Sequence, residues 1–173
     1  MSILSKSGVG RIRHIESWLK ENDDPNITYQ YDEKEDVIDI TVVGSTNRTI
    51  IKKIPPVKIR RIVGAQTITL FKLNLNEDTI PLFPIPTVNE KWFQLEISNC
   101  DIDHNYHRFF NNAKFTSCKF ERFFIKNPFE LCRYSLDNCE IEVMIKNFYI
   151  TPPIIDTWRR FRGNNHIIRT EEG

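Results

Sequence analysis

Chemistry is most densely written between positions 100 and 107, where Cys100, Asp101, Asp103, His104 and His107 gather a thiol, two carboxylates and two imidazoles, all of them zinc-ligand types. Their spacing is not that of a known closed site. A Cys100 turned into a protein core would also face away from His104, so no metal ligand is expected. Cys132 is the best candidate nucleophile, because it alone of the four cysteines stands outside the pattern described below, and it would need a histidine as base. His14, His104, His107 and His166 are scattered, and the six glycines fall singly, with no phosphate-cradling loop and no nucleophile elbow. Asp101 and Asp103 alternate along an extended segment and would face solvent together. The expectation is a protein that is not an enzyme and takes no cofactor; a small enzyme with a Cys/His site is an alternative.

Charge says more through its distribution than through its sum. The 24 basic and 23 acidic residues leave +1, which favours neither a nucleic-acid protein nor an acidic surface overall. Residues 16–39 hold nine carboxylates against Lys20 and Lys34, whereas residues 40–76 hold Arg48, Lys52, Lys53, Lys58, Arg60, Arg61 and Lys72 and no acid. Two readings stay open. The segments are neighbours that screen each other within the chain, or they form a bipolar surface that meets a charged partner. The acidic run Asp32, Glu33, Glu35 and Asp36 is one expected partner-binding segment. The basic stretch 48–61, with the cation–aromatic stretch 158–162, is the alternative, a nucleic-acid surface that would follow phosphates and stack bases.

These side chains must be positioned by residues 95–141, where one short pattern recurs: Leu95, Ile97, Cys100, Ile102; Ala113, Phe115, Cys118, Phe120; Tyr134, Leu136, Cys139, Ile141. Each copy is two apolar pairs offset by five. That fits neither the period of a long strand nor that of a helix, and reads as two short extended segments meeting at a corner with both pairs turned inward. The three cysteines lie 18 and 21 residues apart, about one coil of a β-solenoid, which stacks them as a ladder of small buried side chains. Ile68, Leu70, Leu73 and Leu75 make a fainter copy upstream.

The units Asn99-Cys100-Asp101-Ile102-Asp103, Asn112-Ala113-Lys114-Phe115-Thr116, Ser117-Cys118-Lys119-Phe120-Glu121 and Asn138-Cys139-Glu140-Ile141-Glu142 resemble degenerate pentapeptide repeats. The resemblance covers under a third of the chain and breaks at 103–111 and 123–133. It implies a right-handed β-helix that offers a binding surface and no active site.

Around this core, Ile12, Ile15, Trp18 and Leu19 share a face over residues 11–21, a helix that caps one end of the sheet. Residues 27–31, 37–43 and 48–54 read as an antiparallel meander, residues 57–62 and 67–75 as further strands, and the proline-rich run 80–86 as extended chain that is no central strand. Thr151-Pro152 opens a final helix that ends at Gly163-Asn164, with Arg159, Arg160 and Arg162 complementing its dipole.

The fold expected is mainly β (α+β) in one domain over 1–173: helix plus meander in 1–56, a repeat-like β-solenoid core in 57–150, and a C-terminal helix and tail in 151–173. An antiparallel α+β sheet is the alternative. The function expected is a noncatalytic protein-binding module, in the form of a bacterial immunity protein that blocks a cognate toxin such as a basic nuclease. Its acidic groups at Asp32, Glu33, Glu35, Asp36, Asp101, Asp103, Glu140 and Glu142 would lie at the interface. Neither a signal peptide nor a membrane span is written in the sequence, so a cytoplasmic protein with no membrane contact is expected.

Overall fold

The structure is a computed structural model and describes residues 6–84, 94–103, 110, 112–125, 134–145 and 165–171. It begins with helix α1 (Lys6–Asn22), which starts a turn before the expected position and ends on it. Ile15 and Trp18 are its buried contacts, and the Trp18 indole donates to the Lys53 carbonyl at 2.8 Å, which ties the helix to the first coil. Gly8 allows the Glu33 carboxylate to approach the helix, since a Cβ there would lie 2.7 Å from Oε1.

Strands β1 (Ile27–Asp32) and β2 (Val37–Val42) form an antiparallel hairpin, with Asp36 in the left-handed region at its turn. The expected meander stops there. β3 (Arg48–Ile51) does not return along β2; Gly44 and Asn47, both at positive φ, swing it onto a new face. β4 (Lys58–Val63) then pairs with β2 in parallel, and β5 (Thr67–Phe71) with β3 in parallel. Parallel pairing replaces the meander because each short link turns a corner of a coil, and the next coil stacks on the last.

The same step repeats down the chain. β6 (Asn74–Leu75) opens another face, and β7 (Gln94–Ser98), β8 (Asp101–Ile102), β9 (Lys114–Thr116), β10 (Lys119–Ile125), β11 (Ser135–Asp137) and β12 (Glu140–Ile145) add to the two faces alternately. The result is two parallel five-stranded sheets, β3-β5-β7-β9-β11 and β6-β8-β10-β12-β13, beside the small mixed sheet β1-β2-β4. This is the expected β-solenoid-like repeat and not the antiparallel alternative. β13 (His166–Glu171) is a correction: the segment expected as tail is a strand paired with all of β12, because Ile167 extends the apolar row of that sheet. The expected C-terminal helix at 151–163 lies outside the described residues. Ile80–Leu82, expected extended, is a single 3-10 turn with Pro81 inside it.

Two apolar rows fill the coil, in register across the strands. Ile51, Leu70, Ile97, Phe115 and Leu136 form one; Leu75, Ile102, Phe120, Ile141 and Ile167 form the other. Phe115, Phe120, Phe123 and Tyr134 run through them edge to face, with centroids 5.1, 5.9 and 5.6 Å apart. A bulge between Phe120 and Phe123, with Arg122 at φ 53°, absorbs one extra residue and returns Phe123 to the interior.

The corners share one device. Lys72, Asn99, Ser117 and Asn138 all sit at φ 53–54°, each immediately before the residue that turns inward, Leu73, Cys100, Cys118 or Cys139. Asn tolerates that conformation best of the residues with a side chain, and two of the four positions use it. The first coil is capped by polar side chains. Asn22, 1% exposed, accepts from the Lys52 and Lys53 amides at 2.6 and 3.2 Å and donates to the Ile50 carbonyl at 3.0 Å. Asp24 accepts from the Ile50 amide and the Thr49 hydroxyl, and Asn26 donates to the Arg48 carbonyl. The helix end and the loop after it thus satisfy the edge of β3, as an open sheet edge requires.

Candidate functional site

The cysteines belong to the architecture, by a physics richer than small-residue packing. The Leu73 amide points at Cys100 Sγ at 3.5 Å, the Cys100 and Cys118 amides point likewise at the next sulfur, and the Cys139 amide donates to Asn165 Oδ1 at 2.7 Å. In the other direction each side chain reaches a carbonyl of the preceding coil: Cys100 to Leu70 at 3.4 Å, Cys118 to Ile97 at 3.1 Å, Cys139 to Phe115 at 3.7 Å, and Asn165 Nδ2 to Leu136 at 3.0 Å. From Cys100 onward, one slot per coil therefore carries a donor and an acceptor that replace the ladder bonds lost at the corner, whereas the slot before it holds the apolar Leu73. Asn165, 6% exposed, fills the slot after Cys139 and was hidden from the sequence by the search for cysteines. Burial raises the Cys100 thiol to about 11, and contact with Cys139 together with burial pushes the Cys118 thiol higher still. Neither is a ready thiolate.

Among the described residues no group of three or more His, Cys, Asp or Glu side chains has the arrangement of a metal site. His104, His107, Cys132 and the 158–162 stretch lie outside the described residues.

The acidic loop between β1 and β2 lies beside cations of the same chain. Asp32 pairs with Arg60 at 3.2 Å, Asp36 with Arg11 at 3.3 Å, and Asp36 also accepts from the Tyr31 hydroxyl at 2.7 Å. Arg60 and Arg61 both reach Asp39, Arg60 in a bidentate fork at 2.7 and 3.0 Å. Hydrogen bonding to Arg60 holds the Asp39 carboxyl below its usual range, and burial with the neighbouring carboxylate pushes the Tyr31 phenol to about 12. Glu33 lies against α1 at Gly8, and Glu35 is exposed. At this point the acidic and basic segments are neighbours that screen each other.

The outer face of the second sheet alternates in sign. Asp101, Lys119, Glu140 and His166 stand in register on adjacent strands, and Asp103 pairs with Arg122 at 3.0 Å, which also feels Glu142. Like-sign repulsion along the row is avoided by the intervening lysine. The four carboxylates are brought to one face, interleaved with cations.

The first sheet presents another kind of surface. Its outward positions form two rows, Ile50, Thr69, Glu96, Lys114, Ser135 and Phe71, Ser98, Thr116, Asp137. Ile50 is 42% exposed and Phe71 half-buried, the hydroxyl side chains are short, and the Lys72 ammonium lies 5.2 Å from the Phe71 ring centroid. Sequence reasoning missed this face, because outward positions lack the apolar regularity that marks inward ones.

Comparison of the chain with protein-family models, with curated proteins and with solved structures returns no match. No helix among the described residues is long and apolar enough to cross a membrane.

Proposed function

We propose that the chain is a noncatalytic protein-binding module whose coil is a scaffold for a recognition face. The carrying observation is the outer face of β3-β5-β7-β9-β11, where Ile50 and Phe71 stand among short polar side chains on a sheet whose inward row buries Ile51, Leu70, Ile97 and Phe115. Such a surface offers area and an aromatic anchor, which suits a macromolecule.

The pentapeptide resemblance describes the small residue at each corner. The coils, however, advance unevenly, by 27 residues from Thr67 to Gln94 and by 18 from Glu96 to Lys114. An apolar-x-apolar-x-x-Cys/Asn-x-apolar run with a side-chain ladder at its sixth position is the form of leucine-rich repeats, and it supports that kind of coil, whose sheets serve as binding surfaces. A toxin is one partner such a module would block; nothing among the described residues specifies it. The competing face is the mixed-charge row of Asp101, Asp103, Glu140 and Glu142.

The test is capture of a partner by the purified chain followed by surface exchange. Paired changes I50D and F71D are expected to abolish a saturable complex while the circular dichroism spectrum stays unchanged, and single alanine changes at His14 or His166 to leave it intact. Turnover of a small substrate that disappears on one histidine change, with no stable partner, would overturn the proposal.

A further inference from the structure

The recognition face is electrically polarised from one side to the other. Of the seven cations in residues 40–76, Arg60 and Arg61 are committed to Asp32 and Asp39, and Lys58 stands on β4 in the small mixed sheet. Arg48 opens β3, Lys52 and Lys53 directly follow its end and Lys72 directly follows the paired strand β5, and among the described residues no carboxylate stands within ion-pair distance of them. Arg48, Lys53 and Lys72 are exposed, Lys52 is half-buried, and Lys72 lies over Phe71 on the outer face. At the far edge the row of Phe71 ends in exposed Asp137 on β11, four strands from β3, about 19 Å at the usual interstrand spacing. Between the two ends, Glu96 and Lys114 stand side by side in register and offset each other.

We infer that this face binds an acidic segment of another protein, laid across the strands with its carboxylates over Lys52, Lys53 and Lys72 and an apolar side chain seated on Ile50 and Phe71. This deepens the protein-binding reading and rests on it. Cations with no carboxylate partner among the described residues gain from an incoming carboxylate without breaking an ion pair seen there, and Ile50 and Phe71 supply the apolar contact that fixes position. A nucleic acid fits less well, because Glu96 and Asp137 share the face and would repel a continuous phosphate chain. A second copy fits less well too, because Asp32, Asp36 and Asp39 are already paired and Asp101 and Glu140 flank Lys119, a cation that would oppose the lysines of this face.

A phage-displayed library of random twelve-residue peptides, panned on the intact wild-type protein, tests this. The peptides recovered are expected to carry at least two acidic residues and an apolar one, to lose on the order of tenfold in affinity for the K52E/K72E double variant, and to bind D101K/E140K as they bind wild type. Lys72, Asp101 and Glu140 are exposed and Lys52 is half-buried, and matched thermal melts check that both variants fold. If peptides bind but discriminate D101K/E140K instead, this inference fails and the protein-binding reading stands with the other face. If none is enriched while polyuridylate RNA is retained through Lys52 and Lys72, both fail. Self-association lost in K52E/K72E, with no acidic peptide recovered, overturns the inference in favour of a second copy.

Discussion

Replacing Cys118 by valine and, separately, by asparagine distinguishes a hydrogen-bonded ladder from a stack of small hydrophobes. The Cys118 sulfur lies 3.1 Å from the Ile97 carbonyl and receives the Cys100 amide, and the residue is 2% exposed. Valine fills a similar space but leaves both backbone groups without a partner. An unsatisfied buried polar group costs roughly 1–3 kcal/mol, and because a thiol is a weak donor and acceptor the pair falls at the lower end, about 2–4 kcal/mol in all. Asparagine restores a donor and an acceptor, as Asn165 already does at 3.0 and 2.7 Å in the slot two coils along. With a urea slope of about 2 kcal/mol/M, the valine variant's unfolding midpoint is expected to fall by about 1–2 M and the asparagine variant's to stay within about 0.5 M of wild type. A valine variant as stable as wild type, paired with a destabilised asparagine variant, would refute the ladder and return the cysteines to plain packing.

Three further outcomes follow from the same geometry. Cys100, Cys118 and Cys139, each 1–2% exposed, are expected to resist Ellman's reagent in the native state and to react on unfolding; rapid native labelling of all three contradicts the coil. Asn22→Ala removes the partners of the Lys52 and Lys53 amides and the Ile50 carbonyl and is expected to cost about 2–4 kcal/mol, read by urea unfolding together with faster hydrogen exchange at those two amides, whereas Asn22→Asp, which keeps the acceptor, loses less. For Asp39 the folded carboxyl titrates below its unfolded value, so the unfolded chain binds the extra proton in between; the contribution is complete above about pH 4 and is lost as pH falls through the depressed folded value. Asp39→Asn is therefore expected to flatten the acid limb of the stability profile slightly, by less at high salt because the pair is exposed, and a steeper limb would contradict the assignment.

The interior of the coil was legible and its surface was not. Inward residues repeat because each must fill the same space, so Ile97, Phe115 and Leu136 declare a register that the strands keep. Asn165 escaped notice because it replaces a cysteine by hydrogen-bonding role and not by type, and β13 was lost with it. The meander was misread because polar turn residues around Gly44 and Asn47 do not tell a hairpin from the corner of a coil; the positive φ at both settles that only in three dimensions. Charge counting found the acidic loop but not its partners, since Asp32 and Arg60 are 28 residues apart and meet only when β4 stacks beside β2. The helix was read from Ile15 and Trp18, but its hold on the edge of β3 rests on Asn22, which the apolar pattern does not mark.

The central claim, that the first sheet's outer face is where this protein meets another, is tested most directly by lysine footprinting of the complex with a peptide recovered from the library. Acylation rates are measured by mass spectrometry for Lys52, Lys53 and Lys72 on the claimed face and for Lys119 on the outer face of the second sheet, with and without the peptide. Protection confined to Lys52, Lys53 and Lys72, with Lys119 unchanged, is the result expected. Protection of Lys119 with the other three labelled as in the free protein would contradict it.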